Sequence, residues 1–331
     1  IRYFSFEFID ESEVTEDVDW EEKSAGIEAD GIIYGIIPHS KKGISKIKKI
    51  LTETTADLDR FIFIVPREYE DIEEVVREYN AVSVLRDNAN DEKVLFEEYE
   101  VIYEDLREVL GTFMRGYTRP EDYKSKYIYQ GGELEISRKL VLSEQMSLIC
   151  DEIFSQTPVI NNEAINKNDI TAMAGNSRNK IVTALLRNEL EPNLGLTGSG
   201  QEVSIMRSTL IRTGIWEEKN GLPTLNLRPQ AVEHMDNMLQ TIEGFILEAR
   251  RGKGKSFAEL YRRLQSPEGH IGLRSGVIPI YLAAVIHNYK REVIISDQFG
   301  QVPLSADVLI QINAKPEMFS LSYLDWDADK E

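Results

Sequence analysis

At 331 residues, with 42% hydrophobic and 29% charged side chains, the chain has the composition of a globular protein of about two domains. No apolar run approaches the ~20 residues that span a bilayer, no leader pattern opens the chain, and the single cysteine, Cys150, excludes an internal disulfide framework. The formal charge of -19 is uneven: residues 1–110 carry 29 acidic against 13 basic side chains, the remainder 28 against 25, so the first part repels phosphate at long range and only the second is a candidate to meet nucleic acid. These features set the expectation of a cytoplasmic protein with no membrane contact. Because the chain opens on Ile1 and not Met, it reads as a piece of a longer protein.

In chain order, FSFEF alternates like a strand and is followed by an acidic run from Asp10 to Glu22. Two short apolar runs rich in β-branched residues, Gly31–Pro38 and Arg60–Pro66, read as buried strands. Each precedes an amphipathic helical pattern, the first with Ile44, Ile47, Ile50 and Leu51 on one face. Strand, helix, strand, helix predicts a parallel α/β unit over 1–90, too short for a complete doubly wound domain and therefore its tail. Residues 91–155 are expected to be a helical connector: a long helix over Asp91–Arg115 with an acidic outer face, a Tyr-rich linker over Gly116–Gly132, and a helix over Leu142–Phe154 that buries Cys150.

The densest order signals lie in 156–229. A helix carries Ile181, Val182, Leu185 and Leu186 on one face, a Gly-rich break LGLTGSG follows, and a second helix carries Val203, Met206, Leu210 and Ile211. Asn220-Gly221 then marks a hairpin. Helix, turn, helix and two short strands outline a winged-helix-like module. Residues 230–331 repeat the order: a helix over Ala231–Ala249, a basic loop, a short helix, the apolar helix Val277–Tyr289, strand Glu292–Ser296 with its return, and a helix over Ala306–Ala314 capped by Ser305. The expected fold is thus an α/β remnant followed by a mostly helical region with two winged-helix-like modules, α+β overall.

No catalytic motif stands out. Ala249–Ser256 satisfies a permissive phosphate-loop pattern, but it follows a helical pattern where that chemistry needs a strand. A nucleotide hydrolase built on this loop is therefore the third-ranked reading. The four histidines are scattered, with no metal-ligand spacing, and no cofactor is expected in this chain. Asp57, Asp59 and Glu68 are the only loose candidates for nuclease acids. Between Arg250 and Arg291 lies the one basic island, whose Arg250, Arg251, Lys253, Lys255 and Arg274 are candidate phosphate contacts. On the second helix of the central module, Arg207 and Arg212 join them as residues that a major groove would meet. Glu202, Glu217 and Glu218 lie nearby and favour a protein-docking role for that module.

The stretches TPVINNEAINKNDITAMAGNSRNKIVTALL, LGLTGSGQEVSIMRSTLIRTGIW, LQSPEGHIGLRSGVIPIYLAAVI and INAKPEMFSLSYL resemble the later part of the large ATPases of BREX-type anti-phage systems, the BrxC/PglY-like proteins and their relatives in prokaryotic defence islands. The similar elements run in order over roughly Phe61 to Leu324. The resemblance implies a long parent protein whose phosphate loop, ATP and magnesium lie upstream, working with other defence-system subunits on DNA. Under it, this chain is a non-catalytic coupling region between ATPase motion and double-stranded DNA or a partner subunit. The alternative is a protein-docking scaffold without DNA contact.

Overall fold

The structure is a computed structural model and describes residues 2–27, 29–250 and 254–324. The fold is α+β overall, and the chain divides into two compact units, Arg2–Ile153 and Phe154 onward. Where the sequence pattern suggests four segments, packing groups the residues into these two.

The first unit is built on one mixed sheet. Strands β1 (Phe4–Asp10), β2 (Gly31–Ile37) and β3 (Phe61–Pro66) are parallel neighbours, with Phe4 opposite Gly31 and Ile32 opposite Phe61. A single turn, α1 (Trp20–Lys23), and the helix α2 (Lys41–Thr54) make the crossovers. The apolar runs are buried because β2 and β3 lie inside the sheet: Ile32, Tyr34, Phe61 and Phe63 pack with Ile47 and Leu51 of α2, as parallel strands covered on their faces require. Helices α3 (Glu73–Asn88) and α4 (Lys93–Thr118) form a long helical hairpin, on which Tyr79 and Tyr103 stack 4.8 Å apart. The stretch expected to be only a helical connector then supplies two antiparallel strands to the same sheet, β4 (Ser125–Tyr129) and β5 (Gly132–Leu134), with Phe63 opposite Ile128. Gln130 and Gly131, both at positive φ (48° and 72°), make the two-residue turn between them. Helix α5 (Lys139–Ile153) closes the unit and buries Cys150.

From Phe154 onward one hydrophobic core runs through the unit. Helix α6 (Ala172–Leu185) packs on α7 (Gln201–Met206), which continues into a π-turn over Arg207–Ile211. Strands β6 (Trp216–Lys219) and β7 (Leu222–Leu225) pair across Asn220-Gly221, whose positive φ values of 55° and 79° suit the tight hairpin turn. Helix α8 (Met235–Ala249), the two-residue strand β8 (Lys255–Ser256) and helices α9 (Phe257–Gln265) and α10 (Ile278–His287) follow. Strands β9 (Val293–Asp297) and β10 (Gly300–Val302), helix α11 (Ala306–Ala314) and strand β11 (Ser320–Tyr323) complete an antiparallel sheet in the order β10-β9-β11-β8. Ile181 and Leu185 of α6 belong to the same core as Phe245, Tyr281, Leu309 and Leu321. The apolar α10 is buried from Ile278 to Ile286, which explains why its sequence shows no polar face. No described helix is long and apolar enough to cross a membrane.

Candidate nucleic-acid interface

The surface made by α6, α7 and the β6–β7 hairpin rests on buried groups. Ile205, Met206 and Leu210 face the core, while Ser204, Arg207, Ile211 and Arg212 are exposed. Neither Arg207 nor Arg212 has an ion pair or a side-chain hydrogen bond among the described residues. Most of their cationic neighbours do: Lys180 binds Glu202 at 2.9 Å, Lys219 binds Glu217 at 3.1 Å, and Arg228 binds Glu243. Of the three acids that favour a docking role from sequence, Glu202 and Glu217 are therefore held by lysines, while Glu218 is exposed with no ion pair among the described residues. Those contacts keep both carboxyls below the usual range, with the side-chain hydrogen bond from the lysine as the largest cause in each.

The basic island is different in three dimensions. Lys255 Nζ donates to Glu248 and, at 3.2 Å, to Glu259; Arg263 donates to Glu248 at 3.0 and 2.9 Å and also binds Glu259. Glu248 lies at the end of α8, outside the span in which the island was counted, so its neutralising effect is invisible in a linear window. The Arg250 guanidinium stands 5.6 Å from the centre of the Tyr323 ring, Arg274 lies half-buried in the turn before α10, and Arg251 and Lys253 lie outside the described residues. Lys290 is spent on capping, donating to the carbonyls of Arg187 and Asn188 at 2.7 and 2.9 Å. The phosphate-loop pattern follows α8, a helix, and its Lys255 is shared between two carboxylates.

Glu248 carries a testable pH signature. Hydrogen bonds from Arg263 and Lys255 pull its carboxyl down to about 2. A lowered carboxyl contributes stability that is complete above its ordinary value and is lost as pH falls through the folded one. Glu248 is 41% exposed, so solvent screening limits the effect, and Glu248→Gln is expected to cost about 1 kcal/mol at neutral pH. Wild type and variant should converge as pH falls from about 4.5 to about 2. Urea unfolding across that window checks it, and a pH-independent gap would contradict the assignment.

The first unit holds a polar cluster that sequence reasoning missed. Parallel strands end on one edge, so the carboxyl ends of β1 and β2 bring Asp10 and His39 together, with His39 Nε2 and Asp10 Oδ2 2.6 Å apart. The His39 backbone N–H donates to Glu11 at 2.6 Å, and Ser12 donates to Asp10 from its backbone and hydroxyl at 2.9 and 2.6 Å. The available signal was an alternating strand ending in two acids, FSFEFIDE. The hydrogen bond to Asp10 raises the His39 imidazole above its ordinary 6.5. An NMR titration is expected to place its midpoint above 6.5 and to bring it back toward that value in Asp10→Asn; an unmoved midpoint in the variant would deny the pairing. On the same edge, at the end of β3, a cavity of about 360 Å³ is lined by Tyr69, Phe113, Tyr117 and Tyr123 with Arg67 and Lys124. The loose nuclease candidates do not assemble: Asp57 and Asp59 precede β3 and Glu68 follows it, so a strand of ~20 Å separates them.

Comparison of the chain with family models, with curated proteins and with solved structures gives no match in any of the three.

Proposed function

We propose that this chain is a coupling region of a large prokaryotic anti-phage defence ATPase, and that its second unit engages double-stranded DNA through a winged-helix-like surface made by α6, α7 and the β6–β7 hairpin. The carrying observation is the pair of exposed arginines, Arg207 and Arg212, unpaired on the second helix of that surface while nearby Glu202 and Glu217 are neutralised. Two features of the first unit support an ATPase-type origin. Its three adjacent parallel strands end in an acidic edge, Asp10 and Glu11, and a cavity opens beside the end of β3, where open α/β sheets place ligands. The resemblance to the BREX-type ATPases supplies the parent, with ATP and magnesium belonging to its upstream part and other defence-system subunits as partners in the cytoplasm.

The DNA-facing residues are thereby ranked differently from a linear reading. Lys255 contributes little, because its ammonium already serves Glu248 and Glu259. A second reading, docking of a partner subunit, has its own observation: Leu222 at the hairpin tip is 68% exposed and Ile211 on the second helix 41%. Binding of a short duplex at low and moderate salt separates the two. Phosphate contacts release counterions, so DNA binding should weaken steeply with salt, hold in Lys255→Ala, and fall when Arg207 and Arg212 are both reversed to Glu. Absence of binding even at low salt would leave the docking reading in its place.

A further inference from the structure

The second helix of the interface does not remain a regular α-helix to its end. Over Arg207–Ile211 it widens to a π-turn, in which the Arg212 N–H donates to the Arg207 carbonyl at 2.9 Å. In a regular α-helix, residues five apart are separated by about 140° around the axis, and the two arginines would face different ways. The i to i+5 bond instead sets residue 212 over residue 207, one turn along, with both side chains exposed.

The turn is held from inside. The Ser208 and Thr209 hydroxyls donate to the Ile205 carbonyl at 2.9 and 2.7 Å, and the Thr213 hydroxyl to Thr209 at 2.7 Å. It is also strapped from outside: Asn162 Nδ2 donates to Ser208 Oγ at 2.9 Å. Asn162 is anchored in its own loop, accepting from the Ala164 N–H at 3.2 Å. Wide turns of this kind are rare and concentrate at functional positions, and this one carries two exposed arginines without an ion pair among the described residues.

We infer that the π-turn makes Arg207 and Arg212 a two-pronged clamp on a single backbone phosphate of duplex DNA, with Asn162 as the positioning residue that keeps the turn in register. Guanidinium groups suit this role because their forked donors match phosphate oxygens. The inference rests on the duplex-binding reading above.

The test is a salt series of duplex binding by fluorescence anisotropy for the wild-type chain, Arg207→Ala, Arg212→Ala and the double variant, with circular dichroism confirming that each folds. One lost phosphate contact lowers the log–log salt slope by ~0.9. Because the two arginines share one phosphate, each single variant should keep most of the slope through the arginine that remains while its affinity falls, and the double variant should lose about 0.9. Asn162→Ala, with both arginines in place, should behave like a single variant, with the slope kept and the affinity lowered. A loss of about 0.9 in each single variant and about 1.8 in the double would mean two separate phosphates, and no loss in the double would mean none; either overturns the clamp while duplex binding stands. An unchanged affinity in Asn162→Ala would remove that residue from its role. A wild-type chain that shows no salt-dependent binding would sink the duplex reading and the clamp with it.

Discussion

Phe245→Ala is expected to destabilise the unit from Phe154 onward by about 3–5 kcal/mol, the range for removing a buried phenyl ring. Phe245 is 0% exposed, on the inward face of α8, with its ring 5.5 Å from that of Phe257 on α9. At about 2–4 °C per kcal/mol for a unit of this size, the midpoint should fall by roughly 10 °C. The shape of the transition matters as much as its position. Ile181 and Leu185 of α6 and Leu210 of the π-turn belong to the same core as Phe245. The whole unit should therefore melt as one, with tryptophan fluorescence from Trp216 following the loss of helix. If Trp216 kept its native signal through a separate, later transition, the α6–β7 part would be an independent module and the shared core would carry less of the stability than its burial implies.

Gly276→Ala is the second large effect, and it acts through backbone and not through a cavity. A methyl group at residue 276 would stand 2.1 Å from the Ile165 carbonyl oxygen and 2.7 Å from that of Lys167. Neither oxygen belongs to a flexible side chain that can swing away. The Gly276 N–H also donates to the Lys167 carbonyl at 2.9 Å, so relieving the clash breaks that bond. Overpacking plus the lost hydrogen bond should cost about 3 kcal/mol. The loop displaced is the one from which Asn162 reaches Ser208, so the damage should extend to the π-turn. Thermal unfolding checks the first effect, and duplex affinity below the variant's melting range checks the second. An unchanged midpoint would mean that the loop over 160–168 is not locked by this contact.

Several elements were legible in the sequence because their signals are local. Gly31–Ile37 and Phe61–Pro66 are continuous apolar runs, and the inside of a covered parallel sheet selects for that pattern. The helix Lys41–Thr54 shows its buried isoleucines at three- and four-residue spacing. The turn at Asn220-Gly221 needs two residues at positive φ, and those residue types tolerate it. Ser305 caps α11 by accepting from the Val308 N–H, a contact set by residues three apart.

What escaped the linear reading depends on residues far apart. The β4–β5 hairpin hid in a Tyr-rich stretch because Gln130-Gly131 is a weaker turn signal than Asn-Gly, and its strands are decided by pairing with β3. The basic island looked uncompensated because Glu248 reaches Lys255 and Arg263 from the preceding helix. The Asp10–His39 contact joins residues 29 apart, through the parallel alignment of β1 and β2.

The sequence by itself determined the periodic elements, the caps, the tight turn and the uneven charge, since each follows from residue type and short-range spacing. Only the tertiary structure decided which charges face water unpaired. Coulomb and hydrogen-bond partners are chosen by distance in space, and that distance was set when the apolar faces of α6, α8, α9 and α10 closed into one core. The π-turn that carries Arg207 and Arg212 also has a long-range partner: the Asn162 side chain reaches Ser208 from 46 residues away.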